Sequence, residues 1–168
     1  MATKAEIINK VNDAQRTQRF EKTFDLVRTF TAKANTSDSV TIPVTNEGPF
    51  ILEGYNIAYT KNSTTTPDGG TAKAICFTKL KFKSQSAGNA MSSDFVPVQL
   101  IASPGSDDSP RYGSRPFFYF FPKGDALTIE YDNRAPAALN GETNVSKDER
   151  IDICFKGCIY PNIENTEV

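Results

Sequence analysis

The sequence predicts an all-β fold: an antiparallel β-sandwich, jelly-roll-like, preceded by a short N-terminal helix. Three observations carry that expectation. The 168 residues include 12 Phe and 6 Tyr but no Trp, with Thr, Ile and Val abundant, a bias toward side chains that suit pleated, half-buried surfaces. Ten Pro and ten Gly punctuate the chain at short intervals, so the apolar runs are bounded by turn residues. From Phe24 onward the apolar residues recur with a period of two, and no helical stretch lies between the runs to make parallel crossovers. The length suits one domain with a sizeable core.

The elements follow in order. Thr3-Lys-Ala-Glu6 is a capping-box pattern, and Ile7, Ile8, Val11 and Ala14 follow at helical spacing, predicting a helix over about residues 4–18. Residues 1–22 are therefore read as a helical arm and 23–168 as the sandwich. The narrow apolar stripe of the arm rests either on its own domain or on a neighbour. Phe24–Phe30 is the first strand. After the turn Asn35–Asp38, Val40–Val44 is the second, and its Pro43 marks an edge. Gly48-Pro49 opens a strand at Phe50–Thr60, and residues 61–71 form a polar loop.

A long strand is expected from Ala72 to Ser84, with a bulge near Thr78, because Ile75 and Phe77 set one phase while Leu80 and Phe82 set the other. Phe95–Ile101 is a further strand and residues 102–115 an exposed loop. Strands at Pro116–Pro122 and Ala126–Asp132, a polar loop from Asn133 to about Glu149, and a last strand at Ile151–Tyr160 complete about eight strands, as many as a jelly roll uses. Sandwich or jelly roll is the natural architecture.

Composition excludes several functions. Charges nearly cancel, 19 Lys and Arg against 20 Asp and Glu, for a net charge of −1. No basic face invites nucleic acid, and no polybasic segment or long apolar run invites a membrane. The N-terminus MATKAEIINK lacks the apolar core of a signal peptide, so synthesis and retention in a cytosol-like compartment are expected. With no His in the chain, the common general base and the Ser-His and Cys-His nucleophile pairs are absent, and no enzyme is expected. The carboxylate pairs Asp107-Asp108 and Asp148-Glu149 lie in polar stretches where solvation is expected to leave them without the separated acidities that acid–base work needs.

Neither a metal site nor a cofactor is expected. No loop alternates oxygen ligands and ends on a bidentate Glu, as a calcium loop does. Cys76, Cys154 and Cys158 read as small buried or half-buried thiols. Cys154 and Cys158, four apart on one strand, stand about 13 Å from one another, too far for a disulfide. Three N-x-[ST] sequons, at Asn35, Asn62 and Asn144, read as turn-rich sequence in the absence of an export signal.

Candidate interaction residues lie in three places. Ile7, Ile8 and Val11 form the stripe of the arm. In Arg115-Pro-Phe-Phe-Tyr-Phe-Phe-Pro122, Phe117, Tyr119 and Phe121 face one way and Phe118 and Phe120 the other, so both faces of that strand are aromatic. A sandwich strand normally keeps one wet face, so Phe118 and Phe120 need a cover, from this chain or from another subunit. Pro116 and Pro122 flank the run as gatekeepers. Lys79, Lys81 and Lys83 alternate along one strand face, either as a solvated charged surface that discourages sheet pairing or as a basic stripe that docks on an acidic partner.

Taken in order, Val40-Thr-Ile-Pro-Val44, Gly48-Pro-Phe-Ile-Leu52, Val96-Pro-Val98, Arg115-Pro116, Phe120-Phe-Pro-Lys-Gly124, Leu127–Asn133 and Ile153-Cys-Phe-Lys-Gly157 resemble the β-sandwich virion proteins of tailed bacteriophages. In those proteins a Pro-Lys-Gly or Pro-Gly-Gly corner precedes a strand ending in Asn, and the last strand closes in an aromatic-x-Gly pattern. The resemblance covers about residues 24–160. It rests on the order of short pieces, and the N-terminal helix departs from it. It implies a decoration, cement or head-fibre component of the capsid, or a neck or tail protein. Such a protein would be carried in the virion after assembly in the host cytoplasm, usually as a homo-oligomer, with the major capsid protein or other virion proteins as partners.

Two other roles compete with decoration of the capsid. One is a carbohydrate- or receptor-binding module of a tail or neck, with Asp107–Tyr112 and Asn133–Asn144 clustered at one end. The other is a major capsid protein. That role needs a basic arm for the genome, whereas residues 1–22 set Lys4, Lys10, Arg16, Arg19 and Lys22 against Glu6, Asp13 and Glu21, too little charge for neutralisation.

Overall fold

The computed structural model describes residues 5, 6, 8, 9, 13, 22–44, 47–67, 70–86, 92–102 and 115–160, without the side chains of 22–24 and 115–118. Ala5, Glu6, Ile8, Asn9 and Asp13 are helical, as the capping box predicts, and Ile8 is half-buried. Ile7, Val11 and most of the arm lie outside the described residues.

Eleven strands and one helical turn follow. They are β1 (Lys22–Ala32), β2 (Thr36–Pro43), β3 (Phe50–Tyr59), β4 (Ser63–Thr66), β5 (Lys73–Ile75), β6 (Lys79–Ser84), β7 (Val96–Pro97), α1 (Val98–Ile101), β8 (Arg115–Phe121), β9 (Ala126–Asn133), β10 (Thr143–Val145) and β11 (Glu149–Ile159). Every pairing between them is antiparallel.

Sheet 1 runs β1-β11-β3-β8 and sheet 2 runs β2-β9-β6-β7, while a small third sheet, β10-β4-β5, sits apart from both. With the three strands of the small sheet set aside, the eight others, numbered in chain order, fall as 1-8-3-6 and 2-7-4-5. That interleaving of two Greek keys is the jelly roll. The two ends of the sandwich differ. The lower end holds the entry to β1, the β2–β3 connection and the β8–β9 turn. The upper end holds residues 33–35, 60–67, 70–78, 98–102 and 134–148.

The core lies between the sheets. Leu26, Phe30, Leu52, Ile57, Ile151, Ile153 and Phe155 from sheet 1 meet Ile42, Leu80, Phe82, Leu127, Ile129 and Tyr131 from sheet 2. Burying each of these large side chains contributes about 1.5–3 kcal/mol. Aromatic rings join the layers: Phe82 meets Phe155 edge-on at 5.4 Å and Tyr55 at 5.6 Å, and Phe30 stacks on Tyr131 at 5.5 Å. In β9 and β11 the burial alternates as the period of two predicts.

Three expectations need correction. The single strand over 72–84 is two strands in different sheets, β5 and β6, and the bulge expected near Thr78 is a crossover. The amides of Phe77 and Thr78 donate to the Glu149 carboxylate at 2.9 Å each, which draws the backbone out of any ladder. The expected strand over 95–101 is two residues of β7 followed by α1. Pro97 has no N–H to continue a ladder, and the Val98 amide turns to donate to the Thr78 carbonyl at 3.0 Å. The polar stretches 61–71 and 133–149 contain β4 and β10, in which Thr64–Thr66 pair with Val145–Thr143. Hydroxyl side chains there fill strand positions without an apolar alternation to announce them.

A register shift does occur in sheet 1: Glu53 bulges between Leu52 and Gly54 against β11, and against β8 the register breaks at the same place with the extra residue on β8. Opposite Glu53, Gly157 permits a backbone approach that no side chain allows, because a Cβ there would stand 2.0 Å from the Ile51 carbonyl oxygen and 2.7 Å from the Phe50 ring.

Candidate functional site

Among the described residues no three His, Cys, Asp or Glu side chains converge as a metal would require. No described helix is long and apolar enough to cross a membrane.

The outward face of sheet 2 is polar and balanced. Lys79, Lys81 and Lys83 stand half-buried on β6 while Leu80, Phe82 and Ser84 point inward. Their register sets Lys79 opposite Asp132 and Lys81 opposite Glu130, and Lys83 forms an ion pair with Glu130. Beyond the acidic row, Ser37, Ser39 and Thr41 of β2 pair with Asp132, Glu130 and Thr128, and the Ser37 hydroxyl donates to Asp132 at 2.7 Å. The lysines thus lie beside carboxylates of their own sheet. This arrangement matches a solvated charged face better than a bare basic stripe.

The outward face of sheet 1 is different. Tyr119 packs against the main core and Phe121 is buried within it, whereas Phe120 faces the other way, as the alternation predicts. Phe120 meets Ile51, Cys158 and Tyr160, which form a second apolar cluster on the outside of the sheet at its lower end, the latter three almost wholly buried. The backbone of Phe118 belongs to β8, but its side chain lies outside the described residues. Further up the same face Val27 of β1, Cys154 of β11 and Asn56 of β3 stand in one row. Val27 is 67% exposed and Cys154 half-buried. Burial, then the nearby Asp25 carboxylate, raises the Cys154 thiol above its ordinary value, against a smaller opposing effect of Lys156.

The upper end carries three more exposed apolar side chains, Leu100 (71%), Leu139 (69%) and Val145 (42%). It also carries the residue that sequence reasoning misjudged. Glu149 is not solvated; it is wholly buried. Besides the two amides, its carboxylate accepts from the Thr78 hydroxyl at 2.6 Å and the Cys76 thiol at 3.1 Å. Burial pushes its pKa up, but hydrogen bonds from the side chains of Ser63, Thr78 and Cys76 and from the Phe77 amide outweigh that and hold it below the usual carboxylate range. Burial and the same carboxylate push the Cys76 thiol far up. The group is a structural keystone that ties the small sheet to β6 and β11.

Asn133 extends the network, donating from Nδ2 to the carbonyls of Ala32 at 2.9 Å and Lys147 at 2.8 Å. Asp148, its exposed neighbour, pairs with Lys33 at 2.8 Å and accepts from the Ala34 amide at 2.9 Å. One signal in the sequence points to Glu149: counting back by two from Phe155, Ile153 and Ile151 reaches it on the inward face. Asp107 and Asp108 lie outside the described residues. No family model, curated protein or solved structure matches the chain.

Proposed function

We propose that this chain is a virion structural protein of the tailed-phage kind, a capsid decoration or cement subunit acting through protein–protein contacts. Its partners are then the major capsid protein or other virion proteins, and copies of itself. The observation that carries the reading is the jelly-roll strand order together with apolar side chains on the outward face of sheet 1 and at the upper end. The fold serves viral capsids, lectins and cupins alike, so the surface must decide. Here the surface offers exposed Val27, Leu100, Leu139 and Val145 beside a charge-balanced face, which suits adhesion multiplied over many copies.

The test is to mix the purified protein with particles that lack it and sediment them. Co-sedimentation that saturates supports the reading; a protein that stays in the supernatant at every ratio removes it. A second reading, a receptor- or glycan-binding module of tail or neck, is favoured by one observation. The polar stretches 60–67 and 134–148 lie at the same upper end, so two such segments share one pole. A glycan array without a hit counts against it.

A further inference from the structure

Each sheet of a sandwich leaves two edges, and three of the four edges here carry a proline, among other devices that discourage pairing with another chain. Strand β8 contains Pro116 and is followed by Pro122, and its register with β3 is broken. Strand β7 is two residues long and ends in Pro97. Strand β2 ends in Pro43 and holds the exposed Asp38 in an inward register, opposite the buried Tyr131.

Strand β1 is the most open of the four, with only the charge of Arg28 in an inward register to set against them. Its eleven residues pair without interruption to β11 and, among the described strands, to nothing else. It contains no proline and no bulge. Its outward row holds Asp25, Thr29 and Thr31, all exposed, and at the centre Val27, 67% exposed. Val27 is the middle residue of the eleven.

We propose that β1 is a dimerisation edge, pairing antiparallel with β1 of a second copy about a two-fold axis that passes through Val27. This rests on the assembly role proposed above and names the first partner in it, another copy of this chain. The self-complementarity can be read residue by residue. Full overlap of the two strands sets Val27 against Val27, Asp25 against Thr29 and Leu26 against Arg28, all on matching faces.

Other registers are worse. A slide by one residue turns Leu26 and Phe30, both inward and buried, to the wet side. A slide by two sets Arg28 against Arg28 in one direction, and in the other sets the Asp25 carboxylate against Val27 while shortening the ladder. Arg28, exposed in an inward register opposite Ile153, lays its aliphatic stem over the partner copy's Leu26. The contact is isologous and therefore closes at two copies. It joins two four-stranded sheets into one of eight, with Val27, Cys154 and Asn56 and their symmetry mates in a continuous row.

The test is the oligomeric state of the full chain by light scattering and sedimentation at micromolar concentration. The expected result is a dimer, with Val27→Lys shifting it to monomer while far-ultraviolet dichroism is unchanged, and with Leu100→Lys at the upper end leaving it dimeric. A wild-type monomer overturns the proposal, as does a dimer that survives Val27→Lys or dissolves with Leu100→Lys.

Should Val27→Lys fail to fold, a second variant decides. Val27→Cys, made with Cys154→Ser because Cys154 stands opposite Val27 on β11, is expected to cross-link between copies under oxidised glutathione. Paired strands hold such residues about 4.5–5.5 Å apart at Cα, within disulfide reach. No cross-link under those conditions also overturns it. A monomer that still saturates particles lacking the protein sinks the β1 edge and spares the virion role.

Discussion

Glu149 gathers the polar chemistry of the upper end into one carboxylate, and its donors at Cys76, Phe77 and Thr78 lie 71–73 positions away in the chain. Glu149→Gln keeps the shape but turns an NH2 toward amides that need an acceptor, so a loss of about 2–3 kcal/mol is expected in urea unfolding. The pH dependence has a defined sign. A carboxylate whose folded pKa lies below its ordinary 4.5 stabilises the fold above that value and ceases to do so as pH falls through the folded one. The wild type should therefore lose stability as the pH drops below about 4.5, and Glu149→Gln should flatten that part of the profile. The thiols offer a second check at this scale. Cys154, half-buried, should react with a maleimide well before the buried Cys76 and Cys158. None of Glu149's partners is near it in sequence, which is why it reads as a solvated loop charge there. Only its place in the inward alternation of β11 betrays it.

At the scale of elements, period-two runs and turn residues were legible, and Phe50–Tyr59, Arg115–Phe121, Ala126–Asn133 and Glu149–Ile159 fall within about two residues of the expected strands. What escaped were elements whose cause lies outside their own sequence. Strands β4 and β10 are made of Ser, Thr, Asn and a single Val, with hardly an apolar face, and only their pairing with one another reveals them. The phase change between Phe77 and Leu80 was visible, but a bulge and a crossover both produce one. Two predictions follow from strand surroundings. Gly157→Ala drives a Cβ into the Ile51 carbonyl opposite the Glu53 bulge and should cost about 3 kcal/mol or abolish folding, read by thermal melting. Lys83→Ala removes only a half-exposed ion pair with Glu130 and should change stability by less than about 1 kcal/mol. A much larger loss would mean that the charged rows of sheet 2 hold the sandwich together.

For the whole molecule, the strand count and antiparallel character suggested a jelly roll, but the order 1-8-3-6 over 2-7-4-5 depends on pairings between residues more than a hundred positions apart, as between β1 and β11. The candidate surfaces divide in the same way. The alternation at Tyr119, Phe120 and Phe121 announces apolar side chains on both faces of β8, while the pairing of the β6 lysines with β9 carboxylates needs the register. The uninterrupted β1 edge likewise became visible only once every strand had its neighbours. Under the proposed virion role, this sandwich is built to be covered by other chains on a particle. Electron microscopy of particles carrying a labelled copy of the protein tests that claim most directly. The account predicts label at regular, symmetry-related positions on the virion; particles uniformly without label, with the labelled protein left behind in the lysate, would contradict it.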